Sequence, residues 1–155
     1  MKRILFLFFI SVLIFNQAAG QSSVSDSASV ATILKELLNI CAKVDFGDPK
    51  VQTLGTFYKA ASYIVYQGEN EQRKWKDIAD YTKPEDKKGV DEVCYRINST
   101  VNQDSSYQII KYTMEKESEG TWHVLVVSYI RKGQLKKSAF AFLKIKNRFA
   151  LGDID

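Results

Sequence analysis

The final third of the chain alternates apolar and polar residues in runs cut by short turn sequences, and no other feature constrains the fold as tightly. From Ser105 the hydrophobic period is that of extended backbone, in the runs Tyr107–Lys116, Thr121–Arg131, Leu135–Lys146 and Phe149–Ile154. Ser118-Glu119-Gly120, Lys132-Gly133 and Lys146-Asn147-Arg148 separate them. Glycine and asparagine tolerate the left-handed backbone that tight hairpin turns need. Connections this short cannot carry a parallel crossover, so the pattern predicts an antiparallel meander of about four strands. In the third run Ala139, Ala141, Leu143 and Ile145 share one face, and Ser138, Phe140, Phe142, Lys144 and Lys146 share the other. Neither face is polar throughout, so one is expected to be covered and the other partly hollow or shielded.

The cover has to come from upstream, where the period is helical. Ser29 to Lys43 reads as a first helix, with Ile33, Leu34, Leu37, Leu38, Cys41 and Val44 at helical spacing. Asp48-Pro49 restarts the chain, and Leu54, Phe57, Tyr58 and Ala61 form a second stripe that Gly55 weakens. Tyr63–Tyr66 reads either as the end of that helix or as a short strand. Asn70 is placed to cap a short third helix carrying Trp75, Ile78 and Ala79. Thr82-Lys83-Pro84-Glu85 has the spacing of a capping box. The helix after it puts Val90, Val93, Ile97 and Val101 on one stripe, with Cys94 beside it. Helices first and then an antiparallel sheet is an α+β order, with N-terminal helices packed on the sheet. No repeat or linker divides residues 29–155, which read as a single domain.

Residues 1–20 have the three-part plan of a signal peptide: Lys2 and Arg3, an apolar run from Ile4 to Phe15 broken only by Ser11, then Ala18-Ala19-Gly20. The run is shorter than the ~20 apolar residues that cross a bilayer comfortably. An uncleaved anchor is the competing reading; with cleavage, no stable membrane span remains. The expectation is an exported protein, periplasmic or secreted. Residues 21–28 are serine-rich and read as a flexible leader. Within them Asp26-Ser27-Ala28 resembles an O-glycosylation site, and Asn98-Ser99-Thr100 matches the N-glycosylation acceptor. Beyond the signal, 20 basic residues face 18 acidic ones. That near balance demands neither a nucleic acid nor a membrane partner. The cysteines, Cys41 and Cys94, can form one disulfide in an oxidising compartment. Two buried thiols are the alternative.

Thr56-Phe57-Tyr58 in an early helix, the short segment Tyr63–Tyr66, and the ending Ala141-Phe142-Leu143-Lys144-Ile145-Lys146-Asn147-Arg148-Phe149-Ala150-Leu151 carry a resemblance. The order of elements is similar to that of the cystatin-like α+β superfamily, and most similar to its nuclear-transport-factor-two-like group. The resemblance implies a cone-like fold, a curved sheet wrapped around a helix and enclosing a pocket. Members include isomerases, dehydratases and non-catalytic binding proteins. It transfers no catalytic residue to this chain, and fold alone licenses no activity.

The candidate chemistry is sparse. His123 is the only histidine; it is a natural general base near neutral pH, but a structural or surface role is favoured in a chain with no nucleophile motif. One histidine and two distant cysteines do not make a zinc site, and no cofactor is expected. Glu115–Glu119 reads as a solvated hairpin tip, and Glu85-Asp86 as the favourably charged first turn of a helix. Aromatic residues could line a pocket, with Tyr58, Tyr63, Trp75 and His123 the first candidates. From Thr121 to Gly152 there is no acidic residue but seven basic ones. Lys136, Lys137, Lys144 and Lys146 would be the centre of a basic sheet surface for an anionic envelope component; protection of strand edges is the favoured explanation. The leading expectation is an exported, non-enzymatic domain binding a small apolar ligand or a partner. The alternatives are a cone-fold isomerase or hydrolase-like enzyme, and an interaction module using the basic sheet. A homodimer is left open, and a nucleic acid partner is not expected.

Overall fold

The computed structural model describes residues 24–42, 44–48, 57–66, 77–101 and 106–155. Residues 1–20, read above as a signal peptide, lie outside them, as do Leu54, Gly55, Asn70 and Trp75 of the expected helices. Among the described residues no helix is long and apolar enough to cross a membrane.

The first helix, α1, runs over 24–37 and continues as a π-helical turn, Leu38–Ala42. Its buried stripe is Val30, Leu34, Leu37, Leu38, Cys41 and Ala42. The helix starts earlier than the apolar pattern suggests, so 24–28, read from sequence as leader, are its first turns. The small polar residues there are accommodated by back-bonding: Thr32 Oγ1 donates to Ala28 O at 2.9 Å and Ser29 Oγ to Ser25 O at 2.9 Å. Asp26 adds a tether, accepting from Lys144 Nζ at 3.1 Å.

Helix α2 is the single turn Tyr58–Ala61. Tyr63–Tyr66 resolves as extended chain: Val65 N donates to Leu151 O, and Leu151 N to Tyr63 O. The expected third helix is not formed at its C-terminal end. Ile78 bridges Val65 in antiparallel fashion, and Ala79 N donates to Ile64 O. The reason is a vacant backbone edge on 63–66, which only an extended partner can satisfy.

Helix α3, Pro84–Thr100, buries Val90, Val93, Cys94 and Ile97 as the stripe requires. The expected capping box is absent. Lys83 holds the cap position with no side-chain cap, and Thr82 Oγ1 donates to Asp80 Oδ1 at 2.7 Å instead. The N-terminal work falls to Asp86, which is buried and accepts from Asp80 N at 2.6 Å.

The sheet follows the expectation closely. Strands β1 (Tyr107–Lys116), β2 (Thr121–Arg131), β3 (Gln134–Ile145) and β4 (Arg148–Ile154) lie in the order β1-β2-β3-β4, each antiparallel to the next. The β2–β3 turn puts both Lys132 (φ 51°) and Gly133 (φ 74°) in left-handed backbone. In the β3–β4 turn the left-handed residue is Lys146 (φ 55°).

The odd positions of β2 (Leu125, Val127 and Tyr129) meet Phe140, Phe142, Leu151 and Ile154 in one core with α1, α2 and α3. This face is packed, not hollow. The opposite face carries a smaller cluster of Val65, Trp122, Leu143 and Ala150. The fold is therefore α+β, with helices on one face of an open four-stranded sheet.

Two interactions fasten α1 to α3. Cys41 and Cys94 form a disulfide with Cα atoms 4.7 Å apart, which settles their pairing. One turn further along α3, Asn98 Nδ2 donates to the carbonyls of Ala42 and Val44 at 2.9 Å and of Cys41 at 3.3 Å. Ala42 is the last residue of α1 and Val44 follows it, while Cys41 O also accepts from Val44 N at 3.4 Å. The nitrogen that an attached glycan would occupy is thus engaged inside the fold.

Two measurements check this clamp. Replacing both cysteines by alanine should lower unfolding stability by up to ~4 kcal/mol, from the entropy of a loop closed over 53 residues. Denaturant titration of the oxidised protein and the variant reads it directly. Asn98→Ala should cost about 1–3 kcal/mol, because buried carbonyls lose their donor. Asn98→Asp should cost more, since its carboxylate faces carbonyl oxygens. A variant as stable as the parent would remove Asn98 from the clamp.

Candidate functional site

The α3 surface turned away from the sheet forms the wall of an open groove of about 790 Å³. Lys87, Asp91 and Tyr95 recur at helical i, i+4 spacing, and Lys88, Glu92 and Arg96 follow one step behind. Phe46, Phe57 and Tyr81 complete the lining with Pro84. The rings contact one another: Phe46 stacks on Phe57 at 5.5 Å and meets Tyr95 edge-on at 5.4 Å. Tyr81 donates to Asp91 Oδ1 at 2.9 Å, and Lys87 Nζ stands 5.7 Å above the Tyr81 ring.

The electrostatics of this wall are those of half-buried groups held together. Burial, reinforced by the bonded Asp91, pushes the Tyr81 hydroxyl above the ordinary phenol range. Burial raises Asp91 too, against the opposing pull of the Tyr81 bond and the Lys87 charge. Arg96 is occupied at the end of the groove, paired with Asp153 at 3.5 Å and donating to Ile154 O. Chemically, the site offers aromatic faces, a carboxylate–phenol pair, two ammonium groups and the Glu92 carboxylate, a combination suited to holding a flat apolar body with a polar tip.

The residues expected to line a pocket do not converge. Tyr58 is exposed at the rim of the large groove, edge-on to Tyr81 at 6.3 Å. Tyr63 lies elsewhere, in a smaller groove of about 400 Å³ with Ser29, Ile33, Asn147, Arg148 and Phe149. Trp75 falls outside the described residues. His123 is only 1% exposed, beneath Phe149, whose ring meets it edge-on at 4.8 Å.

His123 has a defined polar environment nonetheless. Its Nδ1 is 2.7 Å from the Tyr112 hydroxyl, while Nε2 has no hydrogen-bond partner among the described residues. Burial holds the imidazole below the ordinary histidine range; the Asp26 charge works against this and the Lys144 charge with it.

The four lysines of the expected basic surface are also dispersed. Lys136 and Lys137 alternate across the two faces of β3 near the β2–β3 turn. Lys144 and Lys146 lie near the other end of β3, at the β3–β4 turn. Lys144 is engaged with Asp26 and sits 5.1 Å above the Phe149 ring. They do not make one patch.

The residues that sequence reasoning passed over are Phe46, Lys87, Asp91 and Tyr95, while Tyr81 is one of the aromatic residues open to a pocket role but not among its first candidates. A signal existed for three of them, since Lys87, Asp91 and Tyr95 share a helical face opposite Val90, Val93 and Ile97. Phe46 and Tyr81 reach the groove through loops, which carry no periodicity. Among the described residues, no group of three or more His, Cys, Asp or Glu is placed to hold a metal ion.

Comparison with known proteins gives no matching family, no matching curated protein and no matching solved structure.

The single histidine makes a clean titration probe. The folded state favours neutral His123, whereas the unfolded chain takes up a proton below about pH 6.5. Its contribution to stability is therefore present above pH 6.5 and lost as the pH falls through the folded value. The imidazole resonances should titrate below pH 6.5, and the drop in unfolding midpoint on acidification should be shallower in His123→Gln. Titration at or above 6.5 would contradict the buried environment.

Proposed function

We propose that this chain is an exported, non-enzymatic domain that holds a small apolar, ring-bearing ligand in the groove beside α3. The observation carrying the proposal is the ring of Phe46, Phe57, Tyr81 and Tyr95 around an open volume of about 790 Å³, within the usual range for small-molecule sites. Tyr95 and Tyr58, which meets Tyr81 edge-on, are 59% and 62% exposed, much aromatic surface to leave open to solvent close to one groove. The groove's ionisable groups are bonded to one another, which suits binding and orientation more than proton transfer.

Two facts support export. The Cys41–Cys94 disulfide is consistent with an oxidising compartment, and residues 1–20 have the composition of a secretory signal. Kinship with the nuclear-transport-factor-two-like group is retained as part of this proposal, on the order of helices before a four-stranded meander. The enzymatic alternative would need His123 to reach a substrate. Its 1% exposure, and the burial of Leu125, Phe140 and Phe142 around it, favour a structural role.

Fluorescence titration with anilinonaphthalene sulfonate, an aromatic body with one anionic tip, tests the groove. The expected outcome is saturable binding that weakens roughly 3- to 10-fold in Tyr95→Ala, since aromatic contacts contribute ~0.5–1.5 kcal/mol beyond area burial. Tyr81→Phe should alter affinity by freeing the Asp91 carboxylate. Binding indifferent to both substitutions would place the probe elsewhere and end this reading.

A further inference from the structure

A second surface, remote in character from the aromatic groove, lies at the β2–β3 hairpin. Pairing with β1 ends at Tyr129, and pairing of β3 with the C-terminal segment ends at Ala139. Among the described residues, nothing flanks the hairpin between those points, so it projects from the sheet. Ile130 and Arg131 extend it by about 7 Å at ~3.3 Å per residue, before the Lys132-Gly133 turn closes it.

Its composition is unusual for an exposed turn. Ile130 and Leu135 face each other across the hairpin and are 50% and 65% exposed. Arg131, Lys132, Lys136 and Lys137 surround them. Ile109 and Ile110, also exposed, stand near the same end of the sheet on β1 beside Lys111. There is no acidic residue anywhere from Thr121 to Gly152. Edge protection accounts for lysines, but it does not account for isoleucine and leucine held out in solvent between them.

We propose that this hairpin docks the protein on an anionic lipid bilayer. A bilayer interface is the surface that offers both complements at once: negative headgroups for the cations, and acyl chains a few ångströms deeper for Ile130 and Leu135. The projection of about 7 Å matches the ~5–10 Å depth to which interfacial elements insert. The tight Lys132-Gly133 turn, with both residues in left-handed backbone, keeps the tip narrow. The surface acts independently of the groove, so either assignment can fail alone.

Cosedimentation of the full chain with vesicles tests it. Vesicles of mixed phosphatidylglycerol and phosphatidylcholine should bind the protein, and vesicles of phosphatidylcholine alone should not. Each cation near the surface is worth about fivefold in partitioning, so Lys132→Glu with Lys136→Glu should weaken binding by at least about 30-fold. Ile130→Ser with Leu135→Ser should weaken it about tenfold through lost apolar burial. Both pairs are on an exposed hairpin, and circular dichroism verifies that each variant is folded. In Leu135→Trp, the added fluorescence should shift to the blue with anionic vesicles only. Equal binding to uncharged vesicles would overturn the proposal. So would binding unchanged in both double variants, which would assign the contact to another segment such as the N-terminal apolar run. Sensitivity to charge reversal with indifference to the serine pair would identify a reader of soluble polyanions and would equally overturn it.

Discussion

The attachment of α1 to α3 is the constraint on which the rest of this structure rests. α1 brings Leu34 and Leu37 down onto the sheet, and α3 brings Val90, Val93 and Ile97. The fixed point is the π-helical turn, where Cys41 is bonded to Cys94 and Asn98 binds the carbonyls of Cys41, Ala42 and Val44. A π turn widens the helix and redirects its side chains. Here it brings Leu38, Cys41 and Ala42 together onto the buried side. With α3 held in place, its two faces take different tasks: the inner one covers the sheet and the outer one becomes the groove wall.

Polar groups inside the fold are few and mostly satisfied locally. Asp86 answers the backbone of Asp80, and Tyr129 meets Ser138 at 3.1 Å. At His123 one ring nitrogen is matched by Tyr112 and the other is unmatched among the described residues. Burial in this setting favours the uncharged imidazole, because a buried cation without a close counter-charge is costly. The nearest ion pair, Asp26 with Lys144, is itself neutral overall and spans from α1 to β3. The electrostatic balance around His123 therefore depends on the first turns of α1 being in place.

The sheet was legible in the sequence almost residue by residue, because alternation, turn chemistry and strand length all point the same way. The expected runs Tyr107–Lys116 and Thr121–Arg131 coincide with β1 and β2. α3 was equally legible in its stripe but not in its cap, since Thr82 had an alternative acceptor in Asp80 that spacing does not reveal. The segment around Ile78 was misread as helical because its extended form is imposed by Val65, far away in the pairing scheme and invisible to a local period. The same limit applies to the site. Tyr58, Tyr63 and His123 were chosen for their chemistry, but tertiary placement sends them to a rim, a second groove and the core. Lys87, Asp91 and Tyr95 could have been read from the polar side of α3, where a tyrosine between charged residues is out of character.

The bridges at Ile64 and Val65 have a consequence for growth of the sheet. They occupy the outer side of β4, and 77–79 in turn occupies theirs. The remaining lateral rim of the four-stranded array is β1, whose hydrogen-bonding register is interrupted between Ile109 and Lys111. A foreign strand arriving there would meet a dislocation after only a few rungs, flanked by Lys111, Glu115 and Lys116. Uncontrolled lateral propagation of β structure is thus arrested at both margins by different means, one by occupancy and the other by broken periodicity.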